Sequence, residues 1–481
     1  MKRLKKHPVR KALFFCGILL LIYIAAFTVP YIPHRQVPQA FRTAFSGQDV
    51  YGNGVGPERV AYIEDNLEAL LLRFSMMEEA REELILSTFD FRSDESGKDI
   101  MAALIHAADR GVQVRVIIDG FSGFLSVQGD PYFAALAGHE NIEVRIYNPV
   151  DFFKPWKMQA RLHDKYLIVD DSMYLLGGRN TYDLFLGEYS ETPNIDRELL
   201  VIREEGSSLK SSEKAETASS SLEQVRAYFE RVWVLPDSRD LVCRQGTEEI
   251  RNCQEELKER YEIMKTCYPS AWEEKDWREL TMETRKVTLL SNPVEACNKE
   301  PLMWYCLTEL MKTGDQVTIY TPYIICGTEM YEDLEEVCRT VSSLEIFTND
   351  VSSGANPWGC TDYMNQKEKI WATGARVYEY LGQNSNHTKV MIVDDRLSVV
   401  GSYNMDMRST YQDTELMLAV DCPELNAIIR QQAEQDKTYS RIMVNGAYQA
   451  GENYQPVEES TGKRIFYAVF RVLIRPIRRF L

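Results

Sequence analysis

Apolar and polar positions along the chain predict a regular alternation of strands and helices. Apolar residues recur at helical spacing over residues 57–83, which predicts a helix there. Residues 83–91 and 112–119 are rich in β-branched residues and predict two strands. Residues 98–110, which Gly111 follows, predict the helix between those strands. A short helix and a strand at residues 142–147 complete this half.

The second half of the chain repeats this order. It predicts strands at residues 316–320, 344–347 and 375–380, separated by helices at residues 328–339 and 362–373. Strands that alternate with helices imply an α/β fold with a mainly parallel sheet covered on both faces. The boundaries therefore predict two tandem domains, at residues 48–235 and 286–445.

Residues 236–285 are predicted to form a helical connector between the two domains. The pattern places helices at residues 222–233 and 247–264, and the second of these is highly charged. Before them, residues 206–221 are rich in serine and polar, which predicts a flexible surface loop.

The N-terminus has the pattern of a membrane anchor. Residues 1–11 carry six basic side chains, and residues 12–32 carry no charge over a length that spans a bilayer. No clear cleavage site follows, so we expect an uncleaved transmembrane helix, with a signal peptide as the alternative. The positive-inside rule keeps residues 1–11 in the cytosol and places the catalytic body outside a single-pass cell-membrane protein.

The C-terminus is predicted to be a basic amphipathic tail over residues 460–481. Basic positions 464, 471, 475 and 478 recur at helical spacing opposite apolar positions that include Phe466 and Phe470. This pattern predicts a helix that lies on an anionic membrane surface, ended or kinked by Pro476. A helix that docks on the protein is the alternative.

Composition narrows the classes of partner. The chain has 481 residues, 44% of them hydrophobic, which is enough for two cores. Its net charge of −17 argues against nucleic acid as the default partner. Nine of the ten cysteines follow residue 240, without a CxxC pair, so no metal site is predicted and the disulfide pairing stays open.

One eighteen-residue stretch occurs twice, at residues 163–180 and 387–404. Both copies follow the pattern H-x-K-x4-D-x6-G-[GS]-x-N. The apolar runs after each lysine predict that each histidine and lysine sit on a buried strand, so His163 and Lys165 share a face, as do His387 and Lys389. A neutral imidazole beside a fixed cation suits attack on a phosphate oxyanion without a metal ion.

The remaining motif positions complete the predicted site. Asp170 and Asp394 belong to the catalytic motif, but their opposite strand parity predicts a structural role for their side chains. The small residues let the backbone approach a phosphate, and the amides can donate hydrogen bonds to it. The predicted substrate-binding residues are Gly178, Asn180, Ser402 and Asn404.

The doubled motif resembles the HKD signature of the phospholipase D superfamily, and residues 401–409 (GSYNMDMRS) with the basic C-terminus are most similar to bacterial cardiolipin synthases. This resemblance implies two domains packed about a pseudo-twofold axis, with each motif supplying half of one active site. It implies phosphatidyl transfer from phosphatidylglycerol through a phosphohistidine, with no cofactor. The chain departs from the common synthase pattern because it has one predicted transmembrane segment rather than two.

An acidic pair follows each motif, Asp196 and Glu198 in the first half and Asp413 and Glu415 in the second. An imidazole that attacks through one nitrogen needs an acceptor for its other N–H. Equivalence between the halves and the resemblance both favour Glu198 and Glu415 as the orienting residues, with the two aspartates as rivals. Carboxylates that face water at strand ends are the alternative.

An insertion at residues 148–161 delays the first motif and mixes three aromatic with three basic side chains. Such a lip suits an anionic lipid with acyl chains, and an ordinary packed loop is the alternative. Because the lip precedes only His163, we expect His163 to be the nucleophile and His387 the acid and base. A hydrolytic phospholipase D and a nucleic-acid phosphodiesterase are the alternative functions.

Overall fold

The computed structural model describes residues 7–204, 220–353, 356–457 and 460–481. The basic residues 1–6 and residues 206–219 of the predicted Ser-rich loop lie outside the described residues. The helices are His7–Thr28 (α1), Gln39–Ala44 (α2), Asn66–Glu79 (α3), Glu95–Asp109 (α4), Gly120–Ser122 (α5), Pro131–Ala137 (α6), Ser221–Trp233 (α7), Glu248–Cys267 (α8), Leu302–Met311 (α9), Thr328–Thr340 (α10), Pro357–Ala372 (α11), Met407–Tyr411 (α12), Pro423–Thr438 (α13) and Thr461–Leu473 (α14).

Two large sheets contain most of the strands. In chain order the strands are Glu58–Ile63 (β1), Glu83–Thr88 (β2), Gln113–Asp119 (β3), Ile142–Tyr147 (β4), Tyr166–Val169 (β5), Met173–Gly177 (β6), Asn194–Ile195 (β7), Glu198–Arg203 (β8), Ser238–Asp240 (β9), Met282–Glu283 (β10), Lys286–Ser291 (β11), Gln316–Tyr320 (β12), Ser343–Asn349 (β13), Arg376–Tyr380 (β14), Ser385–Asn386 (β15), Val390–Val393 (β16), Leu397–Gly401 (β17), Leu416–Asp421 (β18), Ser440–Val444 (β19) and Ala447–Ala450 (β20).

The two sheets repeat one topology. Their strand orders are β10-β1-β8-β6-β5-β2-β3-β4-β9 and β11-β18-β17-β16-β12-β13-β14-β19-β20. From β1 and β11 onward, eight successive positions correspond. The chain therefore has an α/β fold in which one domain is used twice.

Each sheet is mixed, which corrects the prediction of mainly parallel sheets. The neighbours β2-β3-β4 and β12-β13-β14 run parallel. The motif strands instead form antiparallel hairpins, β5 with β6 and β16 with β17. Parallel pairing needs a crossover of a dozen residues, and only three residues separate the strands of each hairpin.

One strand was missed at the start of the first domain. Residues 57–83 were predicted as one helix, but β1 precedes α3 and pairs antiparallel with β8. Five of the six residues of β1 are buried, so sheet pairing and burial decide its conformation. The helical spacing that supported the prediction belongs to α3.

The predicted connector adds a helix to the first domain. Helix α8 packs against α4 and α6. Its apolar stripe, which includes Ile250, Leu257 and Tyr261, is buried in the core of that domain. A second core joins the inner faces of both sheets and also contains side chains of α7 and α13. The two domains thus share a continuous interior.

The two terminal segments lie next to each other. Residues Arg10–Tyr31 form an apolar helical stretch of 22 residues, long enough to cross a membrane. The C-terminal residues Arg475–Phe480 form a turn of 3-10 helix, and Arg479 Nε donates to the carbonyl of Tyr31 at 3.2 Å.

The tail helix α14 docks on the protein and turns its apolar face outward. Arg471 Nε donates to Asn365 Oδ1 at 2.8 Å, and Arg478 Nε to Asp362 Oδ1 at 2.6 Å. Two of the four basic residues predicted to face an anionic surface therefore bond to the protein instead. The exposed apolar residues are Ile465, Phe466, Val469, Val472 and Leu473.

Candidate active site

Each motif places its histidine and lysine just before a central hairpin. His163 and Lys165 precede β5, and His387 and Lys389 precede β16, which corrects the prediction that they sit on the strands themselves. Lys165 Nζ donates to the carbonyl of His163, and Lys389 Nζ lies 2.7 Å from Nδ1 and 3.0 Å from Nε2 of His387. The histidine side chains are only 12% and 20% exposed. Each imidazole therefore has an ammonium group beside it.

Each histidine is oriented by a carboxylate from the opposite domain. His163 Nδ1 lies 2.8 Å from Glu415 Oε1, and His387 Nδ1 lies 2.7 Å from Asp196 Oδ2. Both carboxylates are buried. The two domains thus exchange carboxylates, which joins the two motifs into one site. Among the described residues, no carboxylate contacts Nε2 of His163.

The backbone supports the exchange. Strands β7 and β15 pair in parallel across the domain junction, and the N–H of His387 donates to the carbonyl of Ile195 at 2.7 Å. In the other direction, the N–H of Thr414 donates to the carbonyl of Arg161 at 2.9 Å, and the N–H of His163 to Thr414 Oγ1 at 3.1 Å. The segment before each histidine is thus held by the segment that carries its carboxylate.

Strand register explains why Asp196, and not Glu198, orients His387. Gly177 lies opposite Glu198 in the β6–β8 pair, whereas the corresponding Gly401 lies opposite Met417 in the β17–β18 pair. Glu198 therefore corresponds to Met417, and Asp196 corresponds to Glu415. The two Asp-x-Glu segments look alike in sequence but are displaced by two residues.

Glu198 has a different set of partners. It accepts hydrogen bonds of 2.6 and 3.0 Å from Arg73 and lies 3.5 Å from Arg179, all three side chains being buried. The prediction that Glu198 orients a histidine is therefore wrong. Its role is to neutralise two arginines in the interior.

Gly178 and Ser402 contact the orienting carboxylates. A Cβ atom on Gly178 would lie 2.4 Å from Asp196 Oδ1, so only glycine leaves room there. At the corresponding position, Ser402 Oγ donates to Glu415 Oε2 at 2.5 Å, and Ser409 Oγ donates to Glu415 Oε1 at 2.6 Å. Of these two predicted substrate-binding positions, Gly178 leaves room for one orienting carboxylate and Ser402 hydrogen-bonds to the other.

The site lowers the pKa of both histidines and both lysines. Burial, reinforced by the neighbouring lysines, lowers the pKa of His163 well below its usual value and that of His387 to about 4. Burial also lowers the pKa of Lys165 to about 8 and that of Lys389 to about 7. A neutral imidazole beside an ammonium group is the form that an attacking histidine requires.

The two carboxylates differ in charge state. Burial raises the pKa of Glu415 to about 8, although Lys165 and two serine hydroxyls oppose that shift. Burial would raise the pKa of Asp196 as well, but Lys389 and His387 together hold it below its usual range. Asp196 is therefore the more strongly ionised carboxylate and favours a proton on His387.

Asp170 and Asp394 point away from the histidines and tie the hairpins to neighbouring strands. Both have positive φ angles, 46° and 48°, at the tight turns that follow β5 and β16. Asp170 accepts backbone hydrogen bonds of 2.7 to 2.9 Å from residues 81–83, and Asp394 accepts two of 2.8 Å from residues 315–316. Their geometry is that of structural residues.

The two asparagines have polar atoms free for a ligand. Asn180 and Asn404 are buried, and the Oδ1 atom of each has no hydrogen-bond partner among the described residues. Asn404 Nδ2 lies 3.1 Å from the hydroxyl of Tyr323. A phosphate oxygen accepts hydrogen bonds, so a bound phosphate group would be met by the Nδ2 amides, whereas the free Oδ1 atoms can accept from a ligand hydroxyl.

A cavity of about 520 Å³ lies in front of His163. Its polar wall combines Arg161 and His163 of the first domain with side chains of the second, and its apolar wall comes mainly from aromatic residues of the first domain and from Phe27 of α1. The insertion at residues 148–161 forms part of this wall. Asn148 Nδ2 closes the insertion with 2.8 Å bonds to the carbonyls of Lys157 and Ala160.

Within the described residues, no group of three or more His, Cys, Asp or Glu side chains is placed to hold a metal ion. All ten cysteines lie in the described ranges, and none forms a disulfide there.

A match to a family model shows the family to which the chain belongs. The model described as the phospholipase D-like (PLD-like) domain of cardiolipin synthase matches residues 74–233 and 306–437, one match in each half. The chain belongs to this family.

Two known proteins are similar along most of the chain. Cardiolipin synthase C of Escherichia coli (strain K12) is 23% identical over 436 residues, which cover 80% of this chain and 85% of that protein. An uncharacterised protein of Helicobacter pylori (strain ATCC 700392 / 26695) is 26% identical over 412 residues, or 76% of this chain and 77% of that protein. The similarity therefore includes both halves and the junction between them.

A solved structure shares the fold of this cardiolipin synthase-like PLD chain. The crystal structure of phosphatidylserine synthase from Haemophilus influenzae Rd KW20 superposes with a TM-score of 0.60 at 13% identity. The match covers 92% of this chain and 100% of the phosphatidylserine synthase chain. This confirms the two-domain PLD-like architecture.

Three residues of the PLD-like site were not predicted from the sequence. Ser409 donates a hydrogen bond to Glu415, and Tyr323 accepts one from Asn404. Arg408 donates to Asp413 at 3.1 Å and lines the cavity. Ser409 and Arg408 lie within the GSYNMDMRS run, so that run was a usable signal. Tyr323 lies in a loop after β12, and no spacing in the sequence connects it to the motif.

Proposed function

We propose that this protein is a membrane-anchored phosphatidyltransferase that makes cardiolipin from phosphatidylglycerol through a phosphohistidine intermediate. The observation that carries the proposal is the pair of exchanged carboxylates on His163 and His387. Two oriented imidazoles in one site supply a nucleophile and a separate acid and base.

In the first half-reaction, Nε2 of His163 attacks the phosphorus of phosphatidylglycerol. The N–H at Nδ1 is held by Glu415, so the lone pair is on Nε2. An N–P bond forms, the P–O bond to the head-group glycerol breaks, and His387 gives its proton to the departing oxygen. Binding of the anionic phosphodiester between Lys165 and Lys389 offsets their charges, which favours the protonated form of His387.

In the second half-reaction, a second phosphatidylglycerol supplies the acceptor hydroxyl. His387 takes the hydroxyl proton, the oxygen attacks phosphorus, and the bond to His163 breaks. The products of the two steps are cardiolipin and glycerol. The two lysines and the two motif asparagines are available to bind the phosphate oxygens in both steps.

Membrane attachment follows from the N-terminal helix. The apolar stretch Arg10–Tyr31 ends beside the catalytic cavity, since Phe27 lines it. With the basic residues 1–11 retained in the cytosol, the catalytic domains would lie on the outer side of the cell membrane.

The test is product analysis with the purified full-length protein and phosphatidylglycerol vesicles. Cardiolipin and glycerol in equal amounts are expected, and both should disappear in His163→Ala. Phosphatidic acid as the main lipid product would establish the alternative, a hydrolytic phospholipase D with water as acceptor. Cleavage of single-stranded DNA in a parallel reaction, without lipid products, would establish a nuclease.

A further inference from the structure

The cavity in front of His163 has a polar end and an apolar end. Its polar end contains His163, Asn404 and Arg408, and its apolar end contains Phe124, Phe152 and Phe27 of the N-terminal helix. A helix expected to face lipid is therefore also a wall of the catalytic cavity. Anchoring of the protein to the membrane does not by itself require the helix to line the cavity.

The insertion runs alongside the N-terminal helix below the end of its apolar stretch. Residues Pro155–Lys157 pack against α1, and the hydroxyl of Tyr23 lies 3.8 Å from Sδ of Met158. Tyr23 precedes Tyr31, the last residue of the apolar stretch, by eight positions, which is roughly 12 Å along a helix at 1.5 Å per residue. If α1 spans the bilayer, the insertion reaches the depth of the lipid glycerol groups and upper acyl chains.

Exposed aromatic side chains surround the mouth of the cavity. Phe152 is 56% exposed, Phe124 is 47% exposed, and their rings contact each other edge to face with centroids 5.9 Å apart. Phe121 and Trp156 are exposed as well; Phe121 lines the cavity, and Trp156 lies in the turn Pro155–Lys157 that packs against α1. Exposed aromatic side chains next to a membrane helix fit an acyl-chain environment rather than water.

We propose that a diacyl phospholipid enters this cavity sideways from the bilayer, between Phe27 of α1 and the aromatic pair Phe124 and Phe152. Its acyl chains stay in the leaflet while its phosphodiester reaches His163 at the polar end. The inference rests on the proposed function for the reaction, but it adds that the anchor helix is part of the lipid site. The occupant is a lipid of the surrounding leaflet, because Phe27 of the apolar stretch lines the same cavity as the aromatic pair.

The first measurement compares kcat/KM for long-chain phosphatidylglycerol in vesicles with that for a water-soluble dihexanoyl analogue. Phe152→Asp should lose roughly tenfold more activity on the vesicle lipid than on the analogue, the factor expected for loss of one buried aromatic contact. Phe153→Asp changes a neighbour that does not line the cavity, so its loss on vesicles should be several-fold smaller. Ile263→Asp, on the exposed face of α8, should change neither activity.

Equal losses on both substrates for Phe152→Asp, or equal losses for Phe152→Asp and Phe153→Asp, would overturn the proposal. A second measurement does not require turnover. A phosphatidylglycerol with a photoreactive acyl chain, incorporated in vesicles, should label the peptides that contain Phe124 or Phe152 in the full-length protein. Labelling confined to α1 would overturn sideways access, whereas aromatic labelling without cardiolipin synthesis would leave the lipid site standing and overturn only the proposed reaction.

Discussion

Asp196 Oδ2 lies 2.7 Å from Nδ1 of His387, although 191 residues and the domain boundary separate the two in the chain. Glu415 makes the reciprocal contact with His163 at 2.8 Å. Neither domain alone contains a correctly oriented histidine. The active site therefore exists only when the two halves are packed together.

Asp196→Asn should lower kcat by about 10²–10⁴ without unfolding the protein, because an amide no longer enforces the required histidine tautomer. Glu198→Gln is the matched control, since it removes a charge two residues away. It should leave kcat nearly unchanged but lower the free energy of unfolding by roughly 3 kcal/mol, as it leaves buried arginine charge uncompensated. Kinetics and thermal unfolding of both variants check this, and a larger kcat loss in Glu198→Gln would reverse the register assignment.

Gly178→Ala should lower kcat by about tenfold to a hundredfold. The added Cβ would press on Asp196 Oδ1 at 2.4 Å and displace the carboxylate from His387, and misplacement by about 1 Å has costs of that order. Gly54→Ala is the control, because no atom of the described residues lies within 4 Å of its Cβ position. Steady-state kinetics should separate the two variants, and similar rates would show that Asp196 tolerates the methyl group.

The value of kcat/KM should already decrease at mildly alkaline pH, as the alkaline limb of its pH profile. The lysines bind phosphate as ammonium ions, and the pKa values of Lys389 and Lys165 are lowered to about 7 and about 8. The charged forms exist below these values, so activity should be present on the acid side and fall as the pH rises from 7 to 8. Lys389→Arg should move this limb upward, because the guanidinium stays charged. An alkaline limb that does not move would exclude Lys389 as its source.

Phosphohistidine trapping should distinguish the two histidines. His387→Ala is expected to accumulate the intermediate on His163 with a substrate whose leaving group needs no proton, because only the acid has been removed. His163→Ala should form no phosphohistidine with the same substrate. Acid quenching and peptide mapping provide the measurement, and phosphate on His387 in His163→Ala would reverse the roles.

Charges on the exposed face of α14 should reduce activity on vesicles. Val469→Asp and Val472→Asp place charges on side chains that are 56% and 62% exposed, so they should weaken membrane contact by several-fold without unfolding the protein. Activity on detergent-dispersed lipid should change less. Because the exposed face is apolar, the effect should depend weakly on salt, and a strong salt dependence would show that Arg464 and Arg475 dominate instead.

Removal of the whole tail would disturb docking and membrane contact together, so a single substitution separates them better. Ile474 is buried, and Arg478 pairs with the buried Asp362 at 2.6 Å. Arg478→Ala should therefore lower the free energy of unfolding by roughly 3 kcal/mol and reduce activity on vesicles and detergent-dispersed lipid alike. This variant separates docking of the tail from membrane contact.

Sequence alone determined the features that depend on local spacing. A histidine and a lysine two positions apart before a β-prone run meet on one face of the chain, and α4, β3, α10 and β12 form close to their predicted positions. The apolar stretch of α1 needs only composition and length. The repetition of the motif was enough to predict one fold used twice.

Only the tertiary structure decided which distant groups meet. Glu198 and Asp196 are both plausible from sequence, but the two-residue difference in strand register sends Glu198 to Arg73 and Asp196 to His387. The antiparallel pairing of the motif hairpins and the strand β1 likewise depend on non-local partners. Register, sheet order and the position of α1 against the cavity are set by long-range packing, and no local pattern of side chains encodes that packing.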